Sequence, residues 1–397
     1  MSEFSLTRKQ RQEKLLEVSS ILLQTGNAHG FIVNNRDFIA TVIPSDFIEL
    51  FDELIQHGHR IEDLKPFSNK LLNIFHIPLN EYKGLEPPQN SFLFALKKNN
   101  DAMVMVLDEI RPVFKLFAAD ENNDSLKLEL TRLFEKLSLF ASHYVIKENV
   151  LFPVIEKSWP DYRCIQLMWS FHDDIRRNIK YILDMLQSGV QDMTDFKRKV
   201  GDVFFYMMTI RFREEKILFP HLLNTISSEE LEAMNRAGFE IGYPYFQPHI
   251  MTEKSIQNSI PSFMTDLGTG ALTAEQLILL FNHLPVDITF VDENDRVQFF
   301  SSPKDRIFPR TTAIIGREVK NCHPPESVHV VEKIVEAFRS GTKDKAQFWI
   351  QMKGRFILIQ YFAIRDKNGI YKGVLEVSQD ATEIRSLSGE KRLLEWE

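Results

Sequence analysis

Three stretches in the middle of the chain bring histidine together with carboxylates at helical spacing. They are HYVIKENVLFP, which begins at His143, MWSFHDDIRR, which contains His172, and RFREEKILFPHL, which contains Glu214. Imidazole and carboxylate groups that face inward from several helices of a bundle can together hold a metal centre. The candidate metal ligands are His143, Glu148, His172, Glu214, Glu215 and His221.

The spacing within these stretches also counts against a metal. His143 and Glu148 are five residues apart, which turns their side chains about 140° away from each other on a helix, whereas Lys147 lies within about 40° of His143. An ammonium group at that place repels a metal cation. Glu214 and His221 share a helix face, but His221 follows a proline and is expected near the helix end. A metal centre and a set of interhelical ion pairs both remain open interpretations.

Four long amphipathic segments are predicted to position these residues. Short connections between them favour antiparallel neighbours, and therefore an up-down four-helix bundle within residues 84–245. Residues 1–83 are predicted to form a small helical domain, in which the helices Asp46–Ile55 and Lys65–Phe75 each begin near a proline, and residues 246–272 are predicted to be a linker. The four segments are Phe92–Phe117, Ser125–Lys157, Ile165–Gly189 and Asp195–Leu223.

The last part of the chain, residues 273–390, combines strand-like runs with two helices. A capping box at Thr273 predicts a helix over Glu275–His283, and Glu326–Ser340 carries apolar residues at helical spacing. Turn residues separate the apolar runs, which predicts a five-stranded antiparallel sheet with flanking helices. The predicted strands are Asp287–Val291, Val297–Phe300, Ala346–Met352, Phe356–Ile364 and Gly373–Val377.

Both parts of the chain resemble known families. The stretches KENVLFPVIEK, MWSFHDDIRR, REEKILFP and FEIGYPYF resemble landmarks of the hemerythrin-like (HHE cation-binding) fold. LPVDITFVDENDRV, IGREVKNCHPPESVHVVEKI, FWI and LEVSQDATEI resemble a PAS domain. The whole order resembles a bacterial family that combines an N-terminal helical domain of unknown function, a hemerythrin-like bundle and a C-terminal PAS domain. We therefore expect a multidomain protein that is α-helical at its start and α+β at its end.

The hemerythrin resemblance implies a di-iron centre held by histidines from several helices and by bridging carboxylates. Members of that family carry histidines and a glutamate near the start of the first helix, where this chain has QNSFLFALKKNNDAM. Phe92, Phe94 and Asn99 cannot replace those ligands. We therefore expect a bundle that keeps its shape without the metal. A di-iron protein for O2 or NO sensing, or for iron handling, is the alternative.

The PAS resemblance implies a ligand pocket, and three hypotheses concern the segment NCHPPESVH. Haem could bind through His323 or His329, or a flavin could react with Cys322. Alternatively, Pro324-Pro325 simply begins the helix that follows, next to an apolar pocket for a small molecule. The predicted pocket residues are Phe290, Phe300, Cys322, His323, His329, Phe348, Trp349, Phe356 and Tyr361.

Composition narrows the function further. A net charge of −7 argues against nucleic-acid binding. The chain has no apolar run long enough to cross a membrane, and its two cysteines favour a reducing cytoplasm. Nucleophile, phosphate-loop and dinucleotide motifs are absent from the sequence, so we expect no enzyme activity and no bound cofactor. The expected function is a cytoplasmic sensor or adaptor that detects a small ligand or docks a signalling protein, with a homodimer through the PAS domain or its flanking helices as one option.

Overall fold

The computed structural model describes residues 6–159, 162–248 and 264–390. The chain divides into two units, Met1–Met251 and Thr252–Glu397, and each is considered by itself. The first is helical throughout its described residues, and the second contains the sheet. Of the predicted linker, residues 246–272, residues 249–263 lie outside the described residues, and the part from Met264 onward forms two short strands.

Five helices come first in the helical unit. They are α1 (Arg8–Thr25), α2 (His29–Asn34), α3 (Arg36–Ile39), α4 (Pro44–Gln56) and α5 (Ile61–Glu81). The proline at the first position of α4 fits the prediction, since that position needs no backbone N–H donor. The predicted start of the next helix at Lys65 is wrong, because α5 begins at Ile61 and holds Pro66 inside it.

The long helices follow. They are α6 (Phe92–Phe117), α7 (Asp124–Ser138), α8 (Ala141–Ile146), α9 (Phe152–Ser158), α10 (Ile165–Ser188), α11 (Met193–Arg213), α12 (Phe219–Leu222) and α13 (Ser228–Ile241). Helix α6 packs against α7 and α11, and α10 packs against α7 and α11, so these four contact one another in a ring. The predicted helix Ser125–Lys157 is interrupted by a turn at Leu139-Phe140.

Two wide π-helical turns lie further along the segments that begin with α7 and α11, and each ends at the leucine of a Leu-Phe-Pro sequence. The first turn, π1 (Lys147–Leu151), joins α8 to α9, and the second, π2 (Glu214–Leu218), joins α11 to α12. Each is followed by Phe-Pro, and the proline cannot donate to the carbonyl four residues earlier, with which its ring would also collide. A widened turn accommodates that proline, and such turns are frequent at functional sites.

One hydrophobic core runs through the helical unit. It includes Phe47 and Phe75 from the first five helices, and Phe117 and Phe196 from the ring. The predicted boundary at residue 83 remains a prediction. Among the described residues, no helix is both long and apolar enough to cross a membrane.

The second unit is built on a five-stranded antiparallel sheet in the order β4-β3-β7-β6-β5. A hairpin of β1 (Met264–Asp266) and β2 (Ala271–Thr273) leads into α14 (Ala274–His283), whose capping box forms at Thr273 as predicted. The long helix α15 (Pro325–Arg339) also agrees with the prediction. The sheet strands are β3 (Asp287–Asp292), β4 (Val297–Phe300), β5 (Lys345–Met352), β6 (Arg355–Arg365) and β7 (Tyr371–Asp380).

Close packing between β3 and β7 requires a glycine. Gly373 has φ of 130°, and a Cβ atom placed on it would lie 2.0 Å from the carbonyl oxygen of Val291. Only glycine permits that approach and that backbone conformation. The adjoining pair Val291–Val374 forms part of the small core of this unit, together with Val297 and Phe338.

Candidate functional site

The central polar feature of the helical unit is an ion pair between Lys147 and Glu214, both with no solvent exposure. Lys147 begins π1 and Glu214 begins π2, so the two wide turns face each other through these side chains. Asn100 of α6 donates to Glu214 Oε2 at 2.9 Å, and His143 Nε2 lies 3.6 Å from the same oxygen, just beyond hydrogen-bond range. The carboxylate of Glu214 is therefore shared among three helical segments.

A second pair lies beside the first. Glu148 accepts from His172 Nδ1 at 2.9 Å and from Arg176 Nη1 at 3.1 Å. Arg176 also contacts Asp173 at 2.5 Å. We call the two glutamates and their nearest basic side chains the central cluster: His143, Lys147, Glu148, His172, Arg176 and Glu214.

Aromatic rings enclose the central cluster. Tyr144 stacks on His172 with centroids 4.3 Å apart, and Phe140 stacks on His143 at 4.4 Å. The ammonium of Lys147 lies 4.7 Å from the Tyr144 ring centroid, which adds a cation–π contact. Water is thus kept away from charges that would otherwise be screened.

Burial and charge set the protonation of the cluster. Burial favours the neutral form of Glu214, but Lys147 and His143 together outweigh it and hold the pKa of Glu214 at about 2. Burial and the charge of Lys147 lower the pKa of His143 to about 4, and the same two causes lower the pKa of His172 well below its ordinary value. Burial raises the pKa of Glu148 to about 7. At neutral pH both histidines are uncharged and Glu214 is ionised.

The donor set of this cluster does not suit a di-iron centre. Lys147 occupies the place on Glu214 where a metal would bind, and a cation there repels a second one. Asn99 of α6 is used elsewhere, since its Oδ1 accepts from the backbone N–H groups of Tyr245 and Phe246 at 3.0 Å. Within the described residues, no group of three or more His, Cys, Asp or Glu has the geometry of a metal site.

The six candidate ligands are brought together only in part. His143, Glu148, His172 and Glu214 meet in the central cluster. Glu215 pairs with Arg211 at 2.9 Å, and it shares the donor Asn100 with Glu214, at 3.4 Å from its own carboxylate. His221 packs instead against the rings of Trp159 and Tyr162.

Sequence reasoning identified Lys147 but missed two residues of this arrangement. Asn100 lies next to Asn99 on α6, and Arg176 follows His172 by one helical turn. That i, i+4 spacing was the available signal for Arg176, since it places both side chains on one helix face. Nothing in the sequence pointed to the bond from Asn100 to Glu214.

The second unit has a small cavity of about 30 Å³ between α15 and the sheet. Its polar side chains are His323, Tyr361 and Glu376, and its other lining residues are valines and an isoleucine. Tyr361 and Glu376 are paired across β6 and β7 on the same sheet face. His323 Nδ1 contacts the carbonyl oxygen of Val319 at 2.8 Å, and burial lowers its pKa.

Comparison with known families identifies the domain that this unit contains. A family described as "PAS domain" matches residues 277–382. The C-terminal unit contains a PAS domain. Its five-stranded antiparallel sheet and the helix α15 agree with the PAS resemblance of the sequence.

Several solved structures are similar to part of the chain. A C-terminal domain from Streptococcus mutans is 37% identical, with a TM-score of 0.31 and coverage of 32% of this chain and 98% of that one. A PAS domain from Colwellia psychrerythraea is 18% identical, with a TM-score of 0.23 and coverage of 28% and 97%. A sensory box sensor histidine kinase from Vibrio cholerae is 14% identical, with a TM-score of 0.22 and coverage of 27% and 92%. No curated protein matches the chain.

Of the predicted PAS pocket residues, His323 and Tyr361 line the cavity. Phe348 and Trp349 on strand β5 are 40% and 61% exposed, and His329 is exposed on α15. The other predicted residues do not line the cavity: Phe300 and Cys322 pack at the edge of the core, Phe290 is half-buried, and Phe356 lies under the guanidinium of Arg385. Sequence reasoning missed Glu376, whose charge gave no reason to place it on the inner face of the sheet.

Proposed function

We propose that this chain is a non-enzymatic sensor or adaptor. Its PAS domain detects a small ligand or docks a signalling protein. Its helical unit is a hemerythrin-like four-helix bundle in which the Lys147–Glu214 pair has taken the place of the metal, and the bundle relays the state of the PAS domain.

The sensory half of the proposal is supported by the PAS domain itself. The cavity beside α15 has convergent polar groups in an apolar setting, which is the usual character of a ligand site. At about 30 Å³ it holds about one water molecule, so a larger ligand requires α15 to move away from the sheet. Haem and flavin exceed that volume by far, and we propose neither as a resident cofactor.

The relay half is carried by one observation, the Lys147–Glu214 pair at the centre of the bundle. The two residues occupy matching places, since each lies six positions before the proline of a Leu-Phe-Pro sequence. A carboxylate at both places would create a pair able to bridge metal ions, whereas a lysine at one converts the pair into a salt bridge. A salt bridge joins the two turns without redox chemistry.

The alternative of a di-iron protein for O2 or NO sensing, or for iron handling, has one observation in its favour. His143 and His172 are both fully buried and uncharged at neutral pH, and His172 Nε2 has no hydrogen-bond partner within the described residues. Neutral imidazole is the form that binds metals. The alternative requires Lys147 to leave Glu214.

Metal analysis of the full chain distinguishes the two. Protein from iron-rich medium is examined by elemental analysis and by absorption spectroscopy before and after Lys147→Glu. We expect folded wild-type protein with little iron, and metal uptake in Lys147→Glu but not in the control Lys136→Glu, whose lysine pairs with Glu109 on the surface. Near-stoichiometric iron in the wild type that His143→Ala removes would establish the alternative. Phosphotransfer or hydrolysis by the purified chain would contradict the non-enzymatic assignment.

A further inference from the structure

A wide cleft lies between α5 and the second half of α11 in the helical unit. It has a volume of about 400 Å³, and no residue of the central cluster lines it. Helix α5 forms one wall, and α11 together with π2 forms the other. Small-molecule sites are typically clefts of about 300–1,000 Å³, so this cleft has room for a whole ligand.

The wall formed by α5 carries amide and imidazole groups. Asn69, Asn73, His76 and Asn80 line the cleft at spacings of four, three and four residues, which place them on one helix face. Asn73 and Asn80 are exposed, and their side chains have no hydrogen-bond partner among the described residues. Because an amide offers both donors and an acceptor, this wall is able to bind the polar edge of a ligand.

The opposite wall is apolar. Phe205 and Met208 of α11 line the cleft and are 46% and 42% exposed. Phe212, one turn further along, stacks on His76 of the other wall with ring centroids 4.8 Å apart. Covering such apolar surface is favourable, and aromatic side chains accept a planar ring against their faces. The two walls together suit a flat molecule with one apolar face and a hydrogen-bonding edge.

Lys216 of π2 is the cation that this cleft leaves available. Its ammonium group contacts a backbone carbonyl oxygen of α5 at 3.4 Å and has no ion pair among the described residues. The neighbouring charges compensate one another: Arg211 pairs with Glu215 and with Asp101, both at 2.9 Å, and Lys98 lies 3.8 Å from Asp101. An anionic group in the cleft therefore meets Lys216 without breaking an existing ion pair.

We propose that this cleft binds a nucleoside monophosphate, with its base against the apolar wall and its phosphate at Lys216. The base lies on Phe205 and Met208, and its polar edge faces the amide of Asn73. Stacking on such side chains stabilises a base, and an asparagine amide can hydrogen-bond a base edge through its donor and its acceptor together. Lysine binds phosphate as a point charge.

The spacing of the cleft residues fits a ligand of this length. Met208 and Lys216 are eight residues apart, which corresponds to about 12 Å along a helix. A nucleotide and the long lysine side chain span that distance together. The bound ligand would contact both walls and would stabilise the folded helical unit by mass action. The inference does not depend on the sensor assignment, since no PAS residue takes part.

Calorimetry on the full chain at pH 7, with a chelator present, tests the proposal with three probes: AMP, adenosine and inorganic phosphate. We expect saturable binding of AMP, and affinities at least tenfold lower for adenosine, which lacks the phosphate, and for inorganic phosphate, which lacks the base. Lys216→Met should lower the affinity for AMP to that for adenosine and leave adenosine binding unchanged. Asn73→Leu should weaken AMP and adenosine alike, by about fivefold, through the lost hydrogen bonds.

Lys70→Met is the matched control. Lys70 also lies on α5 and also contacts a backbone carbonyl oxygen, that of Gly26 at 3.3 Å, but it does not line the cleft. This variant should bind AMP as the wild type does. No saturable binding of AMP by the wild type, unchanged AMP binding by Lys216→Met or by Asn73→Leu, or inorganic phosphate bound as tightly as AMP would each overturn the proposal.

Discussion

The buried pair Lys147–Glu214 gives the sharpest test of how the helical unit is held together. Glu214→Gln removes the counter-ion of Lys147 and keeps the size of the side chain and an acceptor for Asn100. The change leaves an ammonium group with no exposure and without its partner. Breaking a buried pair in this way costs about 3–5 kcal/mol of unfolding free energy.

The pKa of Glu214 gives an independent estimate of how much its ionised form contributes to the unfolding free energy. Its pKa falls from 4.5 to about 2 in the folded protein, and a difference of that size corresponds to about 3 kcal/mol of stability at neutral pH. Because the folded pKa is the lower one, this contribution is present above pH 4.5 and is lost as the pH falls towards 2. Burial lowers the pKa of Lys147, which offsets part of the gain.

The assay is a double-mutant cycle in urea, followed by far-ultraviolet circular dichroism, to which the helices contribute most. We expect Glu214→Gln and Lys147→Met each to cost about 3–5 kcal/mol, and the double variant to cost less than either alone. Lys147→Met should also raise the pKa of His143, since the nearest positive charge has gone. If both single variants lower the unfolding free energy by under about 1 kcal/mol, or if their costs simply add, the ion pair does not stabilise the helical unit.

Three further predictions concern other parts of the chain. Glu148→Gln should remove the loss of stability that the wild type shows as the pH rises from 4.5 through 7 in urea titrations, because the higher folded pKa makes the protonated form the stabilising one. Gly373→Ala should cost about 3 kcal/mol or more in thermal unfolding, through contact with the Val291 carbonyl, whereas Gly354→Ala, at φ of 75° in open space, should cost about 1 kcal/mol. Trp349→Glu should leave the melting temperature unchanged, because the side chain is exposed. If the exposed face of β5 is a dimer interface, light scattering should show dimers for the wild type and monomers for this variant.

The sequence was most informative where a local rule decides the structure. The capping box at Thr273 fixed the start of α14, and turn residues fixed the strands of the sheet. Local rules failed where one residue type is compatible with two places in a helix. Pro66 predicts a nearby helix start, but the helix already begins at Ile61, so the proline lies inside it.

The candidate site was predictable one helix at a time and not across helices. The charge of Lys147 and its place on the face of His143 follow from spacing, but its partner Glu214 lies 67 residues further along the chain. No periodicity relates two such positions. In the PAS domain, both Phe348 and Trp349 of β5 are predicted to line the pocket, but their exposure depends on what packs against that strand.

The aromatic enclosure of the central cluster has a consequence for timing. Because Lys147 and Glu214 have no contact with solvent, a proton from bulk water reaches them only when the helices briefly separate. The rate at which the buried pair is protonated would then equal the rate of that opening, however low the pH. A stopped-flow pH jump should therefore show a rate of helix loss that levels off at strongly acidic pH. That limiting rate would measure how often the helical unit opens around these two side chains.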